Sequence, residues 1–138
     1  MQGSSADGQP APLRGGQLLA AISNRIVGML HEHYGRGAIN AKTYALDDMI
    51  IVVLRGSGFT ALEQTIMDSG DPERVIAMRE NFQRVMADRF AQTIEELTGR
   101  NVIAFMSRVN IEPDITIETF FIDGPLRGFG APEPPKPK

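Results

Sequence analysis

The sequence predicts a two-layer α+β domain, in the order α-β-β-α-α-β-β, with a mostly antiparallel four-stranded sheet and one long helix. Two segments repeat apolar residues at spacings of three and four, the mark of amphipathic helices. Four shorter stretches are rich in β-branched and aromatic residues and fall into two pairs, each joined by turn-forming residues. The chain has 138 residues, enough for one domain.

The first helix is expected from about Gln17 to Tyr34. Leu18, Leu19, Ile22, Ile26, Met29, Leu30 and His33 fall on one of its faces, and Gly35 and Gly37 stop it. Asn40 to Leu46 and Met49 to Leu54 follow as strands, joined by Asp47 and Asp48, which can bond their own backbone in a tight turn. The run Met-Ile-Ile-Val-Val-Leu suggests a strand buried on both faces. Thr60 and Glu63 have the spacing of a capping box, opening a short helix that ends by Gly70. Asp71, Pro72 and Glu73 then combine an N-cap, a first-turn proline and an acidic residue at the positive end of the dipole. That helix should run to Thr98, capped by Gly99. Asn101 to Val109 and Ile115 to Ile122 complete the sheet through a turn at Glu112-Pro113-Asp114.

Residues 1 to 15 and 124 to 138 lack apolar periodicity, and the second stretch is rich in proline, so both are expected to be disordered tails around a single domain over 16–123. That unit carries 10 basic and 15 acidic residues, and the whole chain has a net charge of -3. Such a balance argues against nucleic-acid binding through a broad basic surface. With no cysteine, disulfides, thiolate catalysis and Cys-ligated metals are excluded. No apolar run approaches the ~20 residues of a membrane span, and no basic-then-apolar leader stands at the start. Cytoplasmic location without membrane insertion is the expectation.

The long helix, at about 27 residues, spans roughly 40 Å. A compact domain of ~108 residues is only some 33 Å across. Val75, Met78, Phe82, Val85, Met86 and Phe90 lie in an apolar sector about half the circumference wide, more than one layer needs. This mismatch suggests a homodimer with those six residues in its interface; a kinked helix in a monomer is the alternative. Arg79 lies centrally in that sector, so it must pair with a buried carboxylate, for which Glu63 is the candidate, or receive an anion.

Other constellations carry less. His31 and His33 point about 200° apart on a helix and cannot share one ion, so no metal site is expected. Gly35-Arg36-Gly37 could bring backbone amides and a guanidinium to one anion, yet it also reads as a helix stop with a surface arginine. Arg100 follows the Gly99 stop, where it could serve an anion or the helix's own carbonyls. No catalytic residues and no cofactor are expected.

The segments Tyr34-Gly35-Arg36-Gly37, Lys42-Thr43-Tyr44, Asp48 through Leu54, Thr60-x-x-Glu63 and Arg79-x-x-Phe82-Gln83 resemble, in order, the MpsC-like family. So does the run from Glu95 through Leu97-Thr98-Gly99-Arg100 to Phe105-Met106-Ser107, and the resemblance covers about residues 17 to 122. Ala38 departs from the family pattern, which has proline there. The resemblance implies an accessory subunit of a sodium-translocating, membrane-potential-generating system whose neighbours are similar to an inorganic-carbon uptake pair. Two functional expectations follow. One is a non-enzymatic homodimeric accessory or regulatory protein that meets the cytoplasmic face of a transporter. The other is a small-anion or nucleotide sensor using Arg36, Arg79 and Arg100.

Overall fold

In the computed structural model, residues 13–36, 39–56, 58–126 and 128–129 are described. Gly37, residues 1–12 of the expected first tail, and Arg127 with residues 130–138 of the second lie outside them.

The elements run α1 (Gly15–Tyr34), β1 (Asn40–Leu46), β2 (Met49–Arg55), α2 (Ala61–Asp68), α3 (Pro72–Thr98), β3 (Val102–Asn110) and β4 (Ile115–Ile122). The sheet order is β1-β2-β4-β3, and every pairing is antiparallel. Local chemistry sets the boundaries. Gly35 and Gly99 close α1 and α3 in the left-handed conformation that glycine adopts without a Cβ penalty. The Asp71 carboxylate accepts from the Arg74 amide at the start of α3, with Pro72 in the first turn. Asp47 turns the β1–β2 hairpin with a positive φ of 53°.

Helices α1 and α3 pack side by side on one face of the sheet, α1 over β1 and α3 over β3, while α2 leans on α3. Between the layers, Leu18, Ile22, Ile26 and Leu30 meet Ile50, Val52, Leu54, Met86, Phe90, Ile94, Phe120 and Ile122. Leu126 joins this core beyond residue 123, where the sequence reading ends the domain.

Three expectations need correction or narrowing. Strand β2 is not buried on both faces: Ile50, Val52 and Leu54 are buried, but their neighbours are only half-buried because no helix lies on that side. His33 is exposed at the end of α1 and does not continue the apolar face. In α3 the buried positions are Val75, Arg79, Gln83, Met86, Phe90, Thr93, Ile94 and Thr98. They span about 140° of the helix at ~100° per residue, and this stripe lies against the chain's own sheet. Of the six residues assigned to an interface, Val75, Met86 and Phe90 are therefore in the core, Met78 and Phe82 are half-buried, and Val85 is 71% exposed.

Candidate functional site

The helix-facing side of the sheet changes character along its length. One row reads Ala45, Ile50, Phe120, Phe105; the next reads Thr43, Val52, Glu118, Ser107; the third reads Ala41, Leu54, Thr116, Val109. Hydrocarbon thus gives way to hydroxyls and a carboxylate toward the end where β4 begins. Above that end sit Arg79 and Gln83, one turn apart on α3, and Arg36 in the loop after α1.

Glu63 is placed by the capping box at the start of α2. The Thr60 hydroxyl accepts from the Glu63 amide at 3.1 Å, and the Glu63 carboxylate accepts from the Thr60 amide at 3.0 Å. The same carboxylate takes a bidentate pair from Arg79: Nε at 2.7 Å and Nη2 at 2.8 Å. Tyr34 at the end of α1 donates its hydroxyl to Glu63 as well. Arg79 Nη1 donates to Asp114 Oδ1 at 2.7 Å, and its guanidinium lies 4.8 Å from the centroid of the Phe59 ring. Arg36 comes within 3.5 Å of the same Asp114 oxygen. Three segments distant in sequence are thereby tied to one helix turn.

The electrostatics follow the geometry. Burial opposes the charged form of Arg79, but Glu63 and Asp114 outweigh it and hold its pKa above the ordinary value. Burial likewise opposes ionised Glu63, yet Arg79, Tyr34 and the Thr60 amide hold its carboxyl below the usual range. Burial, and then its bond to Glu63, pushes the Tyr34 hydroxyl up. Arg36 shifts down, through burial and the neighbouring Arg79 charge.

Of the five residues expected to bind a ligand, two come together. Arg36 and Arg79 share Asp114, and Arg79 has its donors committed to protein acceptors, with Glu63 as the carboxylate anticipated for it. Gly35 serves as the α1 cap. Arg100 stands at the opposite end of β3, roughly 30 Å away along the strand, donating to the Pro125 carbonyl rather than to the α3 carbonyls. The three arginines therefore do not converge. His31 bonds the Arg36 carbonyl at 3.0 Å, while Asp48 lies at the β1–β2 turn, the far end of β1.

Sequence reasoning missed Asp114, taken there only as a turn former, and passed over Gln83, Thr116 and Glu118. A signal existed for Glu118. Counting back by twos from Phe120 and Ile122 along β4 puts Glu118 and Thr116 inside, whereas counting from Ile115 and Ile117 puts them outside. The first parity holds.

The other face of the sheet is a second candidate surface. Its rows are Asn40, Arg55, Ile115, Asn110; then Lys42, Val53, Ile117, Arg108; then Tyr44, Ile51, Thr119, Met106; then Leu46, Met49, Phe121, Ala104. Tyr44, Met106 and Leu46 are 47%, 57% and 61% exposed. Lys42, Arg55 and Arg108 are the charged members of these rows, and no acid stands among them.

Among the described residues no helix is long and apolar enough to cross a membrane. A family model described as Na+-translocating membrane potential-generating system (MpsC) matches residues 14–124. No curated protein and no solved structure matches the chain.

Proposed function

This chain belongs to the MpsC family, and on that premise we propose that it is a non-enzymatic accessory protein of a membrane-potential-generating system. It works on the cytoplasmic side and docks through the open face of its sheet onto the membrane-bound component. The observation that carries this reading is the composition of that face. It is mainly apolar in two of its four rows, has cations in the other two and no acid, on a chain whose net charge is -3. An apolar patch with one sign of charge suits a partner surface that is apolar and acidic.

The test is sedimentation of the tagged chain with membranes from cells that make the system. Wild type should pellet with them, and Ile117→Asp or the triple change Lys42→Glu, Arg55→Glu, Arg108→Glu should leave it in the supernatant. Lipid vesicles without membrane proteins should capture neither. Variants that pellet like wild type and restore the membrane potential of a deletion strain would overturn the docking reading.

Homodimerisation has one specific support, the exposed flank of α3 at Val85. In this reading two copies meet along that flank, beside the stripe used by the core. Sedimentation equilibrium should give a dimer for wild type and a monomer for Val85→Glu; a wild-type monomer removes the pairing and leaves the docking reading intact.

A further inference from the structure

Strand β3 ends the sheet: it pairs with β4 on one side and, among the described residues, with no strand on the other. An edge strand leaves the N–H and C=O groups of alternate residues unpaired, a template for another extended chain. Irregular pairing blunts such an edge, and β3 has it at one end only. The register slips between Val102 and Ala104, whereas Ala104 to Asn110 pair in regular step with β4.

A cleft of about 820 Å³ lies beside the regular part, between β3 and α3. Ser107, Arg108, Val109 and Asn110 all line it. Successive strand residues point to opposite faces of a sheet, so four in a row border one cleft only if it opens along the strand's edge. Its two walls match in length. Phe105 to Asn110 on β3 and Ile76 to Ala87 on α3 each cover about 17 Å, which is the reach of an extended segment of about six residues. A free edge with a helix alongside is the setting in which a peptide adds to a sheet as a further strand.

The lining sets the chemistry of that segment. Arg84 from α3 and Arg108 from β3 stand against one acid, Glu80, and among the described residues neither arginine is ion-paired. Ile76 and Phe105 supply apolar wall. A second copy of this chain is the wrong occupant, because pairing β3 with itself about a two-fold axis in this stretch crowds the Arg84 and Arg108 of both copies together. A segment bearing carboxylates meets the same charges with the opposite sign. We propose that the α3–β3 cleft binds an extended acidic segment of another protein, which joins the sheet as a fifth strand beside β3. Arg108 belongs by register to the open face of the sheet, and Arg84 to the helix covering the opposite face. The segment therefore carries a carboxylate on each of its sides, as two adjacent acidic residues do. An apolar residue two positions from the acid that meets Arg84 shares the helix side with it.

The experiment selects from a displayed library of random eight-residue peptides on the full chain, then measures the best binder, synthesised with a fluorescent label, by anisotropy. Selected sequences should share two adjacent acidic residues with an apolar residue two positions from one of them. Arg84→Glu, at an exposed position, should keep the circular dichroism spectrum and weaken binding about ten-fold or more. An added strand uses the amides of alternate residues only, so N-methylating one alternate set in the peptide should abolish binding and N-methylating the other should leave it nearly intact. Ile117→Asp, on the open face, should bind the peptide as wild type does, which separates this inference from the docking reading. Overturning results are no enriched peptide, enriched peptides without acids, full binding by Arg84→Glu, lost binding with Ile117→Asp, or equal effects of the two methylated sets. Protection of the β3 amides from hydrogen exchange that appears on concentrating the chain alone would place a second copy at the edge and overturn it as well.

Discussion

Arg79 is 1% exposed and keeps its charge because Glu63 and Asp114 surround it with acceptors. A buried ion pair of this kind gains little over a hydrophobic pair of equal volume, but removing one partner strands the other. Glu63→Ala should therefore cost about 3–5 kcal/mol in urea unfolding, and adding Arg79→Met to it should restore part of that loss. A double variant as unstable as the sum of the two singles would refute the coupling. Glu118 makes the opposite kind of statement. Its folded pKa of about 8 lies above the 4.5 of an ordinary carboxyl, so the folded state holds a proton that the unfolded chain has released. Its contribution is full below the lower value and is lost as pH rises through the window between the two. Stability should fall by the order of a few kcal/mol from pH 5 to pH 8, and Glu118→Gln should flatten that fall. Glu63, held below its ordinary value, acts in the other direction and supplies stability that is lost as pH drops through its folded pKa.

At the scale of elements, capping and site-building are the same event. The Thr60 box that starts α2 also aims the Glu63 carboxylate at Arg79. Thr60→Ala should thus cost more than the ~1 kcal/mol of an ordinary N-cap, while Thr60→Ser should stay near wild type in the same unfolding assay. Gly56, just after β2, offers a second lever, because a Cβ there would come 1.8 Å from Asp114 Oδ2. Gly56→Ala should push Asp114 off both Arg79 and Arg36 and destabilise by about 1–3 kcal/mol, with Asp114→Asn at the same place losing no more than a comparable amount. Element order and ends were legible in the sequence because glycine caps, Asp71-Pro72 and the capping box are local signals that packing did not override. The Arg79–Glu63 pair was legible as one of two alternatives, since a guanidinium on an apolar stripe needs either a buried carboxylate or an anion. Asp114 and Glu118 were not. A turn residue gives no sign that the loop folds back onto α3, and β4 is apolar on both faces, so its parity follows only from which side the helices cover.

At the scale of the whole molecule, that covering is one-sided. Both large helices lie on a single face of the sheet, and the chain's acidic excess is carried away from the other. Helix α3, whose length is a reason in the sequence to expect a partner along it, packs against β3, α1 and α2 and leaves Val85 on its flank exposed. The open sheet face is also left without cover in the described structure, with the cationic rows toward the β1 start and the apolar rows toward the β1–β2 turn. Contacts of these two kinds separate under salt, because screening acts on exposed charges within about a Debye length and leaves apolar burial untouched or strengthened. Membrane-bound chain should accordingly be only partly released by high NaCl. Ile117→Asp and the triple cation variant, each lacking one of the two kinds of contact, should already stand in the supernatant before salt is added. Backbone hydrogen exchange of the bound protein gives the matching spatial readout: amides of the edge strands β1 and β3 should gain protection against the partner, and those of α1, enclosed on its core side already and remote from the face, should exchange as they do in the free chain.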